Sequence, residues 1–355
     1  MRLNLALIGF GVVGQGLAKI LNTKKAFLKE RYDAEFVITA VSDVKKGAVA
    51  DPEGLDPAAL LAHLEKHGDL TTFPAPHTGW DALTTIRRAQ ADVVVEVSWT
   101  DVKTGGAAVH HFREAFAQGR HLVTTNKGPM VVAPWEMLEA AAQAGVEFRF
   151  EGTVMSGTPV ISTAWKGLRG CEITGFSGIL NGTTNFMLSR MEEGLTYQQA
   201  LEEAQRLGYA EADPSADVLG LDAAGKVVIL ANTVLRAPLE LSKVELGYGI
   251  TEITPAMVKE ARAANERWKL VAEAHRQGEK VRASVLAKRV PMVDPLAGVS
   301  GPTNAITFHT DLLGPVTVVG AGAGQKETAF ALLADLLDVH ATLQAKTGDH
   351  YENAH

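Results

Sequence analysis

The sequence predicts an α/β protein in which a doubly wound parallel sheet is followed by a second domain of the α+β class. Short apolar runs rich in Val and Ile alternate with helical patterns in the first 150 residues, and a glycine-rich turn follows the first run. After residue 151, helical patterns dominate. We expect a first domain over 1–150, a second over 151–312, and a C-terminal strand and helix over 313–355 that return to the first domain.

Five apolar runs of the first domain have the length and composition of buried parallel strands. These predicted strands are Leu3–Gly9, Phe36–Ser42, Val93–Ser98, His121–Thr125 and Val146–Phe150. Helical patterns lie between them at Thr104–Gln118 and Pro134–Ala144. The stretch Asp51–Thr78 holds four prolines, and we expect it to run over the sheet edge outside the core.

The second domain combines more helices with fewer strands. The predicted helices are Thr183–Glu193, Thr196–Leu207, Val218–Leu235 and Thr254–Arg276, and the predicted strands are Glu172–Leu180 and Val281–Val290. Near the end, the apolar run Pro315–Gly320 leads into a Gly-Ala-Gly-Ala-Gly segment and a predicted helix over Glu327–Leu337. This late strand–turn–helix pattern indicates a return to the first domain.

Composition excludes several classes of protein. The chain has 355 residues, 46% of them hydrophobic, and a net charge of −7, which is too apolar and too weakly charged for disorder. No apolar run approaches the roughly 18 residues of a membrane span, and no basic stripe suits nucleic acid. The single Cys171 excludes an internal disulfide. Without a secretory segment, we expect a cytoplasmic protein that binds neither nucleic acid nor membrane.

The glycine-rich turn matches the dinucleotide fingerprint G-x-G-x-x-G of a Rossmann-type domain. It consists of Gly9, Phe10, Gly11, Val12, Val13 and Gly14, between a predicted strand and an amphipathic helix. In this motif the first glycine permits the tight turn, the second lets the backbone approach a pyrophosphate, and the third lets helix and strand pack closely. We therefore expect these six residues to bind NAD or NADP.

The choice between NAD and NADP stays open, with NADP slightly favoured. Asp43 ends the second predicted strand, where a carboxylate contacts a ribose 2′-hydroxyl, although its spacing from the turn is longer than usual. Lys45 and Lys46 follow it and suit a 2′-phosphate or, equally, a solvated turn. Ser98 and Thr100 end another strand, where their hydroxyls would face the cofactor; helix capping is the alternative for Thr100.

Four carboxylates precede one lysine in the most chemically suggestive segment: Glu211, Asp213, Asp217, Asp222 and then Lys226. Asp222 and Lys226 are spaced i, i+4 and so share one helix face. Apolar residues follow, so the lysine is expected to be buried and paired. From spacing alone, a capping cluster with a helical ion pair explains the segment better than catalysis.

A second lysine, Lys127, follows the strand predicted at His121–Thr125. Ligands in open α/β sheets bind beyond the carboxyl ends of strands, so Lys127 is expected near nicotinamide and substrate. The alternative is an ordinary loop lysine.

Together these segments resemble the homoserine dehydrogenase family nearly end to end. The matching segments are Gly9–Gly14, Thr124–Lys127, Glu151–Pro159, Gly178–Phe186, Glu211–Lys226, Gly301–Ile306 and Gly320–Gly324. The resemblance implies NAD(P)-dependent interconversion of L-homoserine and L-aspartate 4-semialdehyde, a step towards threonine, methionine and isoleucine. It also implies a homodimer and a short form that lacks the C-terminal regulatory domain of longer relatives.

The resemblance also implies residue roles. Lys226 corresponds to the lysine that exchanges a proton with the substrate oxygen, with Lys127 as the second lysine. Glu211, Asp217 and Asp222 would hold the substrate, and Asp222 would orient the lysine. Gly322 would lie at the cofactor. The residues that match a Na⁺ loop, mainly through backbone carbonyls, are Glu151, Val154, Ser156 and Thr158.

Two alternative functions remain at this point. One is another NAD(P)-dependent oxidoreductase of an amino-acid pathway, since the acidic segment suits any amine-bearing substrate. The other is a dinucleotide-sensing module without turnover. Activity measured with a panel of substrates distinguishes the first alternative from a homoserine dehydrogenase. Detectable oxidation of an alcohol excludes the second alternative.

Overall fold

The computed structural model describes residues 1–278 and 280–347, which form two compact units. Of the described residues, the first unit contains 1–152 and 325–347, and the second contains 153–278 and 280–324. The first unit is therefore built from two separate stretches of the chain.

The first unit is built on a seven-stranded sheet in the order β4-β3-β2-β1-β5-β6-β7. Its strands are β1 (Arg2–Ile8), β2 (Glu35–Asp43), β3 (Gly47–Ala50), β4 (His77–Thr78), β5 (Val93–Glu96), β6 (His121–Thr124) and β7 (Phe148–Arg149). Strands β2, β1, β5, β6 and β7 run parallel, whereas β3 and β4 extend one edge antiparallel. The doubly wound parallel sheet predicted from the sequence is confirmed.

Six helices connect these strands. They are α1 (Val12–Tyr32), α2 (Pro57–His67), α3 (Ala82–Arg88), α4 (Gly106–Ala117), α5 (Lys127–Val132) and α6 (Pro134–Ala144). Side chains of Asp56, Asp81 and Asn126 cap α2, α3 and α5 by accepting backbone N–H groups of the first turn. Helix α2 places Leu60 and Leu64 in the core, so the expectation that residues 51–78 lie outside the core was wrong.

The second unit is built on a six-stranded sheet in the order β13-β12-β8-β10-β11-β9. Its strands are β8 (Ile173–Ile179), β9 (Glu245–Leu246), β10 (Glu266–Gln277), β11 (Lys280–Pro291), β12 (Thr303–Thr310) and β13 (Gly314–Ala321). Neighbouring strands are antiparallel except β11 and β9. Its helices are α7 (Gly182–Glu192), α8 (Tyr197–Arg206), α9 (Ser215–Val218), α10 (Leu221–Thr233) and α11 (Pro255–Ala263).

The helix predicted over Thr254–Arg276 was wrong in its second half. Helix α11 ends at Ala263, and Asn265 then adopts a left-handed backbone (φ 58°) that stops the helix. The following residues form β10, which pairs along its whole length with β11 and on its other edge with β8. Long-range pairing therefore overrides a sequence rich in helix formers.

The expected return of residues 313–321 to the first domain was also wrong. Strand β13 pairs antiparallel with β12, at the edge of the second sheet. The chain re-enters the first unit only with helix α12 (Gln325–Thr347), which packs on α1. Burial of its apolar face explains this placement, because α12 adds five residues to the first core: Ala329, Leu332, Leu333, Leu336 and Val339. Within residues 1–278 and 280–347, no helix has the length and hydropathy to cross a membrane.

Candidate active site

The turn between β1 and α1 has the geometry of a dinucleotide-binding loop. Gly9 has a φ of +99°, and a Cβ there would lie 2.6 Å from the carbonyl oxygen of Val97. A Cβ at Gly14 would lie 2.7 Å from the Gly9 carbonyl oxygen, whereas a Cβ at Gly11 would meet open space. Two of the three glycines are thus required by backbone contacts, and Gly11 leaves the approach to the start of α1 clear. These features fit a bound pyrophosphate.

Asp43 ties the end of β2 to this turn. One carboxylate oxygen accepts the backbone N–H of Phe10 (2.7 Å), and the other accepts the N–H groups of Lys45 and Lys46 (2.9 and 3.0 Å). The Lys46 ammonium donates to the Phe10 carbonyl oxygen (3.0 Å). The carboxylate is thus fixed at the carboxyl end of β2, while the Lys45 side chain is exposed.

A buried acid lies at the carboxyl end of β5. The Ser98 hydroxyl donates to Glu96 Oε1, which also lies 3.1 Å from His111 Nδ1, while Glu96 Oε2 has no hydrogen-bond partner in the described chain. The side chains of Glu96 and His111 are both buried. Thr100 does not cap the next helix, because α4 starts after Gly105. Sequence reasoning missed this buried group, although Glu96 lies within the apolar strand predicted at Val93–Ser98.

Lys127 is half-buried at the first position of α5, at the carboxyl end of β6. Asn126 fixes this helix start: its Oδ1 accepts the N–H of Gly128 (3.0 Å), and its Nδ2 donates to the carbonyl oxygens of Ser98 and Trp99 (3.2 and 3.3 Å). The ends of β5 and β6 are therefore joined by one side-chain amide.

In the second unit, Lys226 is the centre of a buried polar cluster. Its ammonium, on α10, donates to Asp222 Oδ2 (2.7 Å) and to the carbonyl oxygen of Leu180 (2.5 Å). Asn181 Nδ2 donates to the same Asp222 oxygen (3.0 Å) and to Asp217 Oδ1 (2.7 Å). The structure thus brings Lys226, Asp222 and Asp217 together, as the sequence segment suggested.

The pKa of the Asp217 carboxyl is raised within this cluster. Burial raises the pKa of its carboxyl, and the negative charge of Asp222 raises it further. The Asn181 amide, the charge of Lys226 and the Thr183 hydroxyl act in the opposite direction. Loss of Asn181, Lys226 or Thr183 would raise the pKa of Asp217 further, whereas loss of Asp222 would lower it.

Two predicted residues are not joined to the cluster. The Glu211 side chain is exposed, and within the described chain its carboxylate forms no hydrogen bond or ion pair. Gly322 lies against the buried Asn304 side chain, which a Cβ at Gly322 would overlap. Neither amide atom of Asn304 has a hydrogen-bond partner in the described chain.

The segment matched to a Na⁺ loop has an unusual backbone. Met155 and Ser156 both have left-handed φ angles (55° and 53°), and Val154 is fully buried. Thr158 donates its N–H to the Met155 carbonyl oxygen (3.0 Å), and its hydroxyl to the carbonyl oxygen of Ala321 (2.9 Å). Among residues 1–278 and 280–347, no three His, Cys, Asp or Glu side chains form a metal-binding group.

Glu151, at the start of this segment, belongs to the first unit and is buried. Its backbone N–H donates to Asp335 Oδ2 on α12 (2.9 Å). Burial and the charge of Glu151 hold the pKa of the Asp335 carboxyl well above its usual range.

Comparison with known proteins identifies relatives along nearly the whole chain. Residues 9–151 match the family model for the NAD-binding domain of homoserine dehydrogenase, and residues 159–337 match the model for homoserine dehydrogenase itself. An NAD(+)-dependent homoserine dehydrogenase of Pseudomonas canavaninivorans is 42% identical over 96% of this chain and 97% of its own length. A homoserine dehydrogenase of Methanocaldococcus jannaschii is 40% identical over 95% and 98%.

A solved structure shares the fold. A hyperthermophilic archaeal homoserine dehydrogenase in complex with NADPH has a TM-score of 0.82 and 29% sequence identity, covering 96% of this chain and 98% of its own.

Proposed function

The chain belongs to the homoserine dehydrogenase family and acts as a homoserine dehydrogenase, and we propose that Lys226 moves the proton of this reaction. Interconversion of L-homoserine and L-aspartate 4-semialdehyde requires a group that removes or supplies a proton at oxygen. The observation that carries the proposal is the buried Lys226 ammonium, 2.7 Å from Asp222 Oδ2.

Within the part of the chain that the structure describes, the contacts of Lys226 occupy two of its N–H groups, and we propose that the third faces the substrate. A lysine ammonium has three N–H groups, and the acceptors Asp222 Oδ2 and Leu180 O take two of them. In the reduction, the third gives its proton to the aldehyde oxygen; in the oxidation, the neutral amine takes the hydroxyl proton. The bound nicotinamide supplies the hydride chemistry.

We propose that Asp217 and Asp222 hold the substrate's α-ammonium group. Both carboxylates lie beside the lysine, and both accept the Asn181 amide. Two partly buried negative charges suit an ammonium ion better than a neutral group. Glu211 is proposed as a third substrate ligand from the family resemblance.

Lys127 is proposed to contact cofactor and substrate. Its support is its place at the carboxyl end of a parallel strand, where ligands bind in this class of sheet. We expect Lys127→Ala to lower the turnover rate strongly; an unchanged rate and an unchanged cofactor affinity would contradict the placement.

For the cofactor, we propose a preference for NAD, in place of the slight preference for NADP that the sequence suggested. The Asp43 carboxylate is fixed at the end of β2, where it suits a ribose 2′-hydroxyl and repels a 2′-phosphate. The Pseudomonas relative at 42% identity is NAD(+)-dependent, whereas the archaeal relative at 29% identity binds NADPH. The proposed cofactor contacts include the turn from Gly9 to Gly14, the hydroxyls of Ser98 and Thr100, and Gly322.

Three further proposals follow from the family resemblance. Na⁺ would be held mainly by backbone carbonyls of Glu151, Val154, Ser156 and Thr158, and the left-handed backbone at Met155 and Ser156 supports a special role for this loop. The protein would act as a cytoplasmic homodimer. One face of the second sheet carries three half-buried polar residues, and we propose this face as the surface for the partner: Ser177, Glu273 and His309.

The decisive experiment follows absorbance at the reduced-nicotinamide band with purified protein, L-homoserine and either NAD or NADP at alkaline pH. Faster reduction of NAD than of NADP is expected. A faster rate with NADP would overturn the role given to Asp43, and no rate with either cofactor would overturn the proposed chemistry. Size-exclusion chromatography with light scattering tests the dimer, and activity with and without Na⁺ tests the ion.

A further inference from the structure

We infer that Asn181 is a positioning residue that holds the two active-site carboxylates, Asp217 and Asp222, in register with Lys226. The inference rests on the proposed roles of Lys226, Asp217 and Asp222. Asn181 lies between β8 and α7, outside the acidic segment that the sequence singled out. Its contribution is to the geometry of the site, through hydrogen bonds to Asp217 and Asp222.

Each atom of the Asn181 amide has a defined partner. Its Oδ1 accepts the backbone N–H of Thr184 (2.9 Å) and the Thr184 hydroxyl (3.0 Å). Because a backbone N–H requires an acceptor, this contact fixes the orientation of the amide, and Nδ2 must face the carboxylates. The two Nδ2 hydrogens then serve one carboxylate each, Asp217 at 2.7 Å and Asp222 at 3.0 Å. The side chain is buried, so water competes weakly for these contacts.

The same short segment also holds the lysine. The Leu180 carbonyl oxygen, one residue earlier, accepts the Lys226 ammonium. Residues 180 and 181 therefore fix the ammonium through a backbone carbonyl and both carboxylates through one side-chain amide. A shift of this segment would therefore disturb a hydrogen bond of each charged group of the proposed site.

The amide also favours the ionised form of Asp217. The charged groups that face Asp217 are Asp222 and Lys226, both on α10, and they act in opposite directions. Burial and Asp222 raise the pKa of Asp217, whereas the hydrogen bond from Asn181 lowers it. Loss of this donor therefore favours the neutral carboxyl, which cannot pair with an ammonium ion.

A purely structural role, as the N-cap of α7, is the competing explanation. Asn181→Ser and Asn181→Asp distinguish the positioning role from the N-cap role. Ser and Asp are both good N-caps, and each keeps an acceptor for Thr184. Both variants lose the Nδ2 donor, and only Asn181→Asp adds a negative charge. Melting temperatures and NAD affinity control for folding and for the first unit.

With Asn181→Ser, we expect kcat/KM for L-homoserine to fall about 10- to 100-fold, as for loss of a buried hydrogen bond to charge. We expect the acid limb of the kcat/KM profile to move to higher pH, and NAD affinity to stay unchanged. Asn181→Asp should lower kcat/KM further. Wild-type kcat/KM and an unmoved acid limb in Asn181→Ser would overturn the inference, as would loss of folding in both variants.

Lys226→Met, assayed in parallel, separates this inference from the proposed function. An inactive Lys226→Met beside a wild-type-like Asn181→Ser overturns the positioning role alone. An active Lys226→Met overturns the lysine role, and a shifted acid limb in Asn181→Ser would then still support positioning of Asp217.

Discussion

Lys226 carries the proposed proton transfer, and its removal is the sharpest test at the scale of single residues. Lys226→Met keeps the apolar stem in its buried site and deletes the ammonium. General acid–base catalysis contributes about 10²- to 10⁴-fold to a rate, so we expect kcat to fall within or beyond that range. NADH affinity, measured by fluorescence titration, should stay unchanged.

Lys243→Met is the matched control for this substitution. Lys243 is an exposed lysine of the second unit, in the 3₁₀ helix Leu241–Lys243. Its replacement should leave kcat within twofold of wild type. Turnover by Lys226→Met at the rate of this control would contradict the proposed role of Lys226.

The sequence predicts only those residue contacts that are local. The pairing of Lys226 with Asp222 follows from their i, i+4 spacing on one helix. The contacts from Asn181 to Asp217 and Asp222 span 36 and 41 positions along the chain, and no periodicity encodes them. An Asn between a strand and a helix indicates an N-cap, and Asn181 is one. The pattern does not indicate its hydrogen bonds to the two carboxylates.

At the scale of elements, the turn between β1 and α1 contains one glycine that leaves room for the cofactor and another that permits close backbone packing. Substitution by Ala can test these two roles separately. A Cβ at Gly11 meets no atom within 4 Å, so Gly11→Ala should keep the wild-type melting temperature. It should weaken NAD binding at least 10-fold, because it fills the approach to the start of α1. Isothermal titration with NAD checks this expectation.

Gly14→Ala, in contrast, should act mainly by lowering the stability of the fold. Its Cβ would lie 2.7 Å from the Gly9 carbonyl oxygen, a backbone atom that cannot turn aside. We expect a loss of about 1–3 kcal/mol in the free energy of unfolding, as for other overpacked sites. Equal melting temperatures for the Gly11 and Gly14 variants would contradict this division of roles.

Helix α12 contains a carboxyl group that weakens the fold as the pH rises. Asp335 is buried, and its pKa is well above the usual range because of burial and the charge of Glu151. A raised carboxyl pKa gives stability that is present below the unfolded-state pKa and is lost as the pH rises through the folded-state pKa. Asp335→Asn keeps an acceptor for the Glu151 N–H without this titration.

We therefore expect Asp335→Asn to melt above wild type at pH 8, by about 2–4 °C for each kcal/mol gained. The two melting temperatures should converge towards about pH 4, near the pKa of an unfolded Asp. Glu327→Gln, on the first turn of the same helix, is the control and should leave the pH dependence unchanged. A lower melting temperature for Asp335→Asn at pH 8 would contradict the raised pKa.

Elements were predictable where local pattern and tertiary context agree. The parallel strands β1, β2, β5 and β6 appear in the sequence as buried apolar runs because both of their faces are covered. Strand β10 was mistaken for a helix, since its Lys, Leu, Ala and Glu residues are helix formers and only its pairing with β11 and β8 makes it a strand.

At the scale of the whole molecule, the first unit is discontinuous in sequence. Its core includes Leu332, Leu333, Leu336 and Val339 of α12, which the chain adds only after completing the second unit. Burial of these four side chains contributes about 6–12 kcal/mol at about 1.5–3 kcal/mol each. That amount is comparable to the whole stability of a typical domain, about 5–15 kcal/mol. Residues 1–152 alone should therefore not fold.

Residues 1–152 joined to residues 325–347 should fold and bind NAD. A Cβ at Gly152 would lie 3.1 Å from the Ala331 Cβ, so the first stretch ends beside the second turn of α12. A flexible linker of about eight Gly and Ser residues spans roughly 15 Å, which suffices to reach the start of α12. Circular dichroism and NAD titration compare the joined chain with residues 1–152. Cooperative unfolding and NAD binding by residues 1–152 alone would show that α12 is dispensable, against the packing described above.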